Sequence, residues 1–218
     1  NVSFLGRDIK KIMLTSSHAS DGKSFTSITL CRKLAERGKR VVLVDTDLRR
    51  SMITTVYGVQ FAPGSKKQGL SHYLAGIAEK EEVLFHTNVP GMDFIPMGHE
   101  LLNPIPLLSS ERFQNLLDGL AEQYDYVIVD AAPVGVVIDA AEIAKVCDGI
   151  LLVVSYNQVH RQELIDAKNQ LEQTGCPILG TILNQVDYEG FANKKYYYKL
   201  HYSSYYKAYE KEAEEKKS

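Results

Sequence analysis

Lys11-Ile12-Met13-Leu14-Thr15, an apolar run of strand length, leads into Ser17-His18-Ala19-Ser20-Asp21-Gly22-Lys23-Ser24 and then into a stretch of helical period that stops at Gly38. This succession of strand, Gly-Lys-Ser turn and helix decides the fold. The backbone N–H groups of such a turn, with the N-terminus of the helix behind it, form a natural cradle for phosphate. A full Walker A pattern has Gly where Ser17 stands, so the match is degenerate. The plainer alternative is a strand-to-helix turn that happens to contain Gly-Lys-Ser.

Working outward, residues 40–44, 93–96, 126–129, 149–154 and 178–183 repeat the apolar, β-branched character of the first run. Runs this apolar read as strands covered on both faces. Between them, residues 24–37, 107–123 and 161–174 carry a helical period, two of them ending just before Gly38 and Gly175. The alternation predicts an α/β fold of P-loop type, a mostly parallel β-sheet flanked by helices on both faces. Segment 58–69, with Pro63, Gly64, Lys66 and Lys67, reads as an exposed loop.

With 218 residues the chain divides most simply into one domain, 1–187, and a flexible C-terminal tail, 188–218. In the tail large aliphatics nearly vanish, and Tyr, Lys and Glu take over. The balance of 25 basic against 27 acidic residues, a net charge of −2, supplies no field to draw the molecule onto nucleic acid, which is excluded as a favoured partner. Three dispersed cysteines read as thiols in a reducing compartment, and the six histidines show no transition-metal spacing. No stretch approaches the roughly 20 apolar residues of a membrane span, and Asn1 to Asp8 lacks the apolar centre of a signal peptide. A cytoplasmic location is expected. From the absence of an initiating Met we expect the chain to be a fragment.

Two further motifs lie at predicted strand ends, where parallel sheets place ligands. Asp45-Thr46-Asp47 follows Val41-Val42-Leu43-Val44, and Asp130 closes Tyr126-Val127-Ile128-Val129. Beside a phosphate loop, Lys23 reaches the β/γ oxygens of a nucleotide and Ser24 ligates Mg²⁺. One carboxylate of the Asp45/Asp47 pair can then deprotonate a phenol while the other serves the metal, with Asp130 as a Walker B acid. Alone, an Asp at a strand end is an ordinary turn former. Seven of the 13 tyrosines, Tyr196, Tyr197, Tyr198, Tyr202, Tyr205, Tyr206 and Tyr209, crowd the tail. They read either as a solvated aromatic patch or as phosphoacceptors.

With these residues in view, the chain resembles the bacterial tyrosine kinases of capsule and exopolysaccharide synthesis. The resemblance rests on the ordered triple, with Asp45-x-Asp47-x-Arg49 as the segment called Walker A′. It rests also on Leu102-Asn103-Pro104 with Leu107-Leu108-Ser109, on Ala132-Pro133 with Asp139-Ala140, and on the terminal tyrosines. It implies a kinase that uses ATP and Mg²⁺ to phosphorylate the tyrosine tail of a neighbouring copy. His18, Ala19, Ser20, Asp21, Gly22, Lys23, Ser24 and Phe25 would bind the nucleotide, with Asn184 where such folds contact adenine. Lys23, Asp45 and Asp47 would be catalytic, Asp45 as base, and Ser24, Asp47 and Asp130 would hold the metal. The implied partners are a transmembrane polysaccharide co-polymerase adaptor that activates the kinase, a cognate phosphatase, and further copies in a ring. The adaptor would place the chain at the inner face of the plasma membrane.

Departures from the family pattern are visible. Ala19-Ser20-Asp21 stands where relatives carry Pro-Gly-Glu, so Ser20 would be strained if that glycine supplies a positive φ. Ala131-Ala132 lacks a hydroxyl that relatives place near the metal. A partitioning-type ATPase shares the scaffold but has a lysine where this chain has His18, and a non-catalytic nucleotide-dependent regulator is a further alternative. Asn184-Gln185-Val186-Asp187 faintly resembles the base-reading motif of GTPases, although an Asn and Asp in a turn need no special role.

Overall fold

Each apolar run expected to be a strand is one in the computed structural model, which describes residues 3, 4, 7–56, 59, 61, 64, 66–135 and 138–186. A short antiparallel pair, β1 (Ser3–Phe4) and β2 (Arg7–Asp8), stands apart from the main sheet. The main sheet contains β3 (Lys11–Ser16), β4 (Val41–Asp45), β5 (Phe85–His86), β6 (Met92–Ile95), β7 (Tyr126–Asp130), β8 (Gly149–Ser155) and β9 (Ile178–Asn184). Their order is β5-β6-β4-β7-β3-β8-β9, and every pairing is parallel except that of β5 with β6.

The connections include α1 (Lys23–Glu36), α2 (Ile53–Val56), α3 (Leu70–Leu74), α4 (Lys80–Val83), α5 (Ile105–Leu108), α6 (Glu111–Gln123), α7 (Asp139–Ala144) and α8 (Arg161–Glu172). Successive strand side chains alternate between two cores. Met13, Val42, Val44, Val127 and Val129 join Phe113, Leu116 and Leu117 of α6 on one face. Ile12, Leu14, Val41, Leu43 and Ile128 join Cys31 and Ala35 of α1 on the other. The helices therefore cover both faces of the sheet, as expected.

Two expectations need correction. The helix predicted over 107–123 is instead α5 and α6, because Ser110 has extended backbone and its hydroxyl caps α6 by accepting the N–H of Phe113 at 3.3 Å. A local side-chain bond here outcompetes a helical period that runs on through the break. The strand expected at 178–183 extends to Asn184 and forms a sheet edge, with Thr181 and Leu183 exposed, so it is not covered on both faces.

Segment 58–69 lies partly outside the described residues; its last residue, Gly69, is the N-cap of α3. Backbone contacts divide the chain into Asn1–Gln185 and Val186–Ser218. Apart from Val186 the second unit, with all seven candidate acceptor tyrosines, lies outside the described residues. Among the described residues no helix is long and apolar enough to cross a membrane, and Cys31, Cys147 and Cys176 are free thiols.

Function depends most on one topological fact. The chain passes from β3 through α1 to β4, skipping a position that β7 later fills. Leu14 and Asp45 thereby both register with Asp130, and three motifs distant in sequence end side by side at the carboxyl edge of the sheet.

Candidate active site

Beyond β3 the chain makes a tight loop stitched to itself. The Asp21 carboxylate accepts the N–H of His18 at 2.9 Å and the hydroxyl of Ser17 at 3.2 Å. Ser20 and Gly22 both have left-handed backbone, φ 71° and 87°. The positive φ suspected at Ser20 is present, and for an L residue it costs about 1–2 kcal/mol. Gly22 caps α1, whose first residue is Lys23. The ammonium thus sits at a helix N-terminus, where partial positive charge already favours anions.

Lys23 bridges the acids of two strands. Its Nζ lies 3.2 Å from Asp47 Oδ2, 3.3 Å from Asp130 Oδ2 and 3.3 Å from Ser24 Oγ. Burial works to lower its pKa, but Asp130, Asp47 and Asp45 together outweigh burial and hold it above the ordinary lysine value. Asp130, 1% exposed, also accepts hydroxyls from Ser24 at 2.6 Å and Ser27 at 2.8 Å. The serine one turn along α1 from Lys23 was not foreseen; its place at i+4 on the same helix face was the available signal.

The acidic pair separates into different environments. Asp45 is fully buried, accepts a hydrogen bond from Ser51 and does not border the cavity. Burial, reinforced by Asp130, pushes its carboxyl up to about 8 against the opposing pull of Ser51 and Lys23. Asp47 faces the cavity, and its other oxygen accepts the Arg50 N–H at 3.1 Å. Thr46 is pinned between them, its N–H and hydroxyl both donating to the Asp130 carbonyl at 2.9 Å.

The cavity in front of these groups measures about 750 Å³ and is bordered by Lys23, Ser24, Asp47, Arg49, Asn184 and Gln185 among others. Ala19, Ser20, Gly22 and Phe25 also line it, so most of the expected nucleotide contacts converge. His18 and Asp21 are not among the lining residues: His18 Nε2 lies 3.4 Å from Glu163 of α8, and the Asp21 carboxylate is spent inside the loop. Asp130 stands behind Lys23 and Ser24. Asn184 reaches the site, but its amide nitrogen donates to the Asp21 carbonyl at 2.9 Å. Ser51 was not foreseen, having no motif of its own to mark it, and Gln185 stands out in the sequence only within a segment faintly like the GTPase base-reading motif, not as a contact of the phosphate loop.

A helix N-terminus, a lysine and left-handed loop backbone facing a cavity make a polyphosphate site, and the adjacent carboxylates equip it for phosphoryl chemistry. Comparison with known proteins places this geometry. A family model described as an AAA domain matches residues 9–175. The chain is 38% identical to the tyrosine-protein kinase CpsD of Streptococcus agalactiae serotype III over 187 residues, 86% of this chain and 79% of that relative. The kinase domain of the Escherichia coli tyrosine kinase ETK superposes with a TM-score of 0.77 at 34% identity, covering 84% of this chain and 69% of that one. The septum site-determining protein MinD of Pyrococcus horikoshii, in complex with Mg-ADP, matches with a TM-score of 0.65 at 22% identity, which shows a shared fold and no more. With its phosphate loop, its two acidic strand ends and these relatives, the chain belongs to the bacterial tyrosine-protein kinase family.

Proposed function

We propose that residues 1–187 form a kinase domain that transfers the γ-phosphoryl group of ATP to tyrosines of the 188–218 segment of a neighbouring copy, with Tyr196, Tyr197, Tyr198, Tyr202, Tyr205, Tyr206 and Tyr209 as acceptors. The observation that carries this reading is the convergence of Lys23, Ser24 and Asp47 on one cavity with Asp130 directly behind. Without nucleotide, Lys23 holds the two carboxylates. An entering polyphosphate competes for that ammonium and frees Asp47 and Asp130. The oxygen donors of Ser24, Asp47 and Asp130 suit Mg²⁺ completed by phosphate oxygens, which when bound would offset charge building on the transferred group.

Asp45 takes the phenolic proton in this reading, once ionised. Burial and Asp130 raise its pKa to about 8, so at neutral pH the covered carboxyl holds a proton, which it must first release to water as the site opens; the carboxylate then accepts the proton of the phenol. Because the carboxyl is covered, Ser51 must release it as the acceptor enters. Each phosphate adds about −1.5 to −2 charges, so multiple modification turns the tail polyanionic and drives neighbouring copies apart. The same reading assigns the chain to capsule or exopolysaccharide synthesis at the inner face of the plasma membrane. A transmembrane adaptor activates it there, and a cognate phosphatase resets it.

The test is incubation of the full chain with Mg-ATP and the cytosolic segment of its adaptor, followed by phosphotyrosine mapping and a free-phosphate assay. Labelled tail tyrosines, lost in Lys23→Met and Asp45→Ala, are expected. Free phosphate without phosphotyrosine would instead describe an ATPase.

A further inference from the structure

The last residue of β9 and the one after it turn their side-chain amides onto the phosphate loop. Asn184 Nδ2 donates to the Asp21 carbonyl and Gln185 Nε2 donates to the Ser20 carbonyl, each at 2.9 Å. Both donors are themselves anchored. The Asn184 carbonyl accepts the N–H of Tyr156 at 2.8 Å, and Gln185 Oε1 accepts the hydroxyl of Ser155 at the end of β8. Gln185 adopts left-handed backbone, φ 55°, to make this reach. Gly22 is shaped by the same contact: a Cβ placed there would lie 2.0 Å from Asn184 Nδ2. Glycine at this position thus admits the amide as well as supplying a positive φ.

Planar trans peptide groups turn their C=O and N–H to opposite sides. With the carbonyls of Ser20 and Asp21 both drawn toward β9, the N–H groups of Asp21 and Gly22, which share those two peptide planes, are turned the other way. Of the two residues Gly22 borders the cavity, and its N–H, next to Lys23, is a donor that a polyphosphate would meet. Asp21 joins the two anchored planes, and Ser20, in a conformation that costs an L residue free energy, enters the first of them and would otherwise relax.

We infer that Asn184 and Gln185 are positioning residues that hold the phosphate loop from the β9 side, fixing the peptide planes that present the Gly22 N–H to the polyphosphate, and that Asn184 does this whether or not a base is present. The inference deepens the proposed nucleotide reading and rests on it. Loss of either amide lowers affinity for the phosphates themselves.

The test compares Mg-ATP with inorganic tripolyphosphate, which has no base, by calorimetric titration of the full chain. The variants are Gln185→Met, an exposed position where length is kept and the donor lost, and Asn184→Ala. Each is expected to weaken tripolyphosphate binding about fivefold, the effect of one hydrogen bond. Mg-ATP binding should fall by a similar factor in Gln185→Met, with the change appearing in KM for ATP rather than in kcat, and the ligand-free melting midpoint should move little. Variants that bind tripolyphosphate as tightly as the unsubstituted chain would overturn the inference; if Mg-ATP alone weakens, the residues act on the base instead. An unsubstituted chain that binds neither ligand overturns the phosphate-site reading, and this inference with it.

Discussion

Arg49 and Asp139, ninety residues apart, form a two-pronged ion pair: Nε lies 2.6 Å from Oδ2 and Nη2 lies 3.0 Å from Oδ1. The remaining Nη1 donates to the Leu102 carbonyl at 2.9 Å. One guanidinium thus ties the turn after Asp47 to the first residue of α7 and to the 102–104 segment. The partners differ in burial, with side chains 33% and 1% exposed, so the two truncations are unequal. Arg49→Ala strands a buried carboxylate and should cost about 3 kcal/mol, whereas Asp139→Ala leaves a guanidinium that reaches water and should cost about 1. Urea unfolding of both variants checks this, and equal losses would contradict it.

Asp45 links stability to pH. Its folded pKa of about 8 lies above the ordinary 3.8, so between those values the folded chain keeps a proton that the unfolded chain has released. Stability from this group is complete below about pH 4 and is lost as pH rises through 8. Asp45→Asn lacks the titration. With metal chelated and nucleotide absent, the melting midpoint of the unsubstituted chain relative to Asp45→Asn should fall from pH 5 to pH 8.5. A difference that stays flat across this window would mean the carboxyl is not held protonated.

Ser20 and Gly22 should respond to substitution in opposite directions. Ser20→Gly removes a left-handed penalty of about 1 kcal/mol, reduced by the entropy that glycine adds to the unfolded chain. A melting midpoint about 2 °C higher is expected. Gly22→Ala puts a Cβ into both a positive φ and the Asn184 amide, so it should lower the midpoint and weaken Mg-ATP binding. Finding Ser20→Gly destabilising would remove the strain argument.

The Ser110 cap makes a local claim. Ser110→Ala removes the hydroxyl that accepts the Phe113 N–H, and a lost N-cap costs about 1 kcal/mol. Phe113, Leu116, Leu117 and Leu120 remain packed, so the fold should persist. Chemical denaturation should show a lower midpoint with an unchanged slope; a changed slope would place the effect in the unfolded chain.

Much of this protein can be read from residue order alone, because a buried parallel strand must be nearly all apolar and a helix must repeat its apolar face. The six long strands, α1, α8 and the three acid-bearing or phosphate-binding turns were legible on that basis, as was the risk of strain at Ser20. The break at Ser110 was not, since capping turns on one hydroxyl while the helical period runs on past it. The exposure of Thr181 and Leu183 was hidden as well, because it depends on the sheet ending there. Tertiary structure alone put β7 between β3 and β4, which sets Asp130 beside Asp45 and under Lys23. It alone brought Ser51 onto Asp45, Arg49 onto Asp139, and Gln185 back over 165 residues to Ser20. Periodicity reports which side of an element meets the core; which distant groups meet each other follows from the order in which the strands assemble.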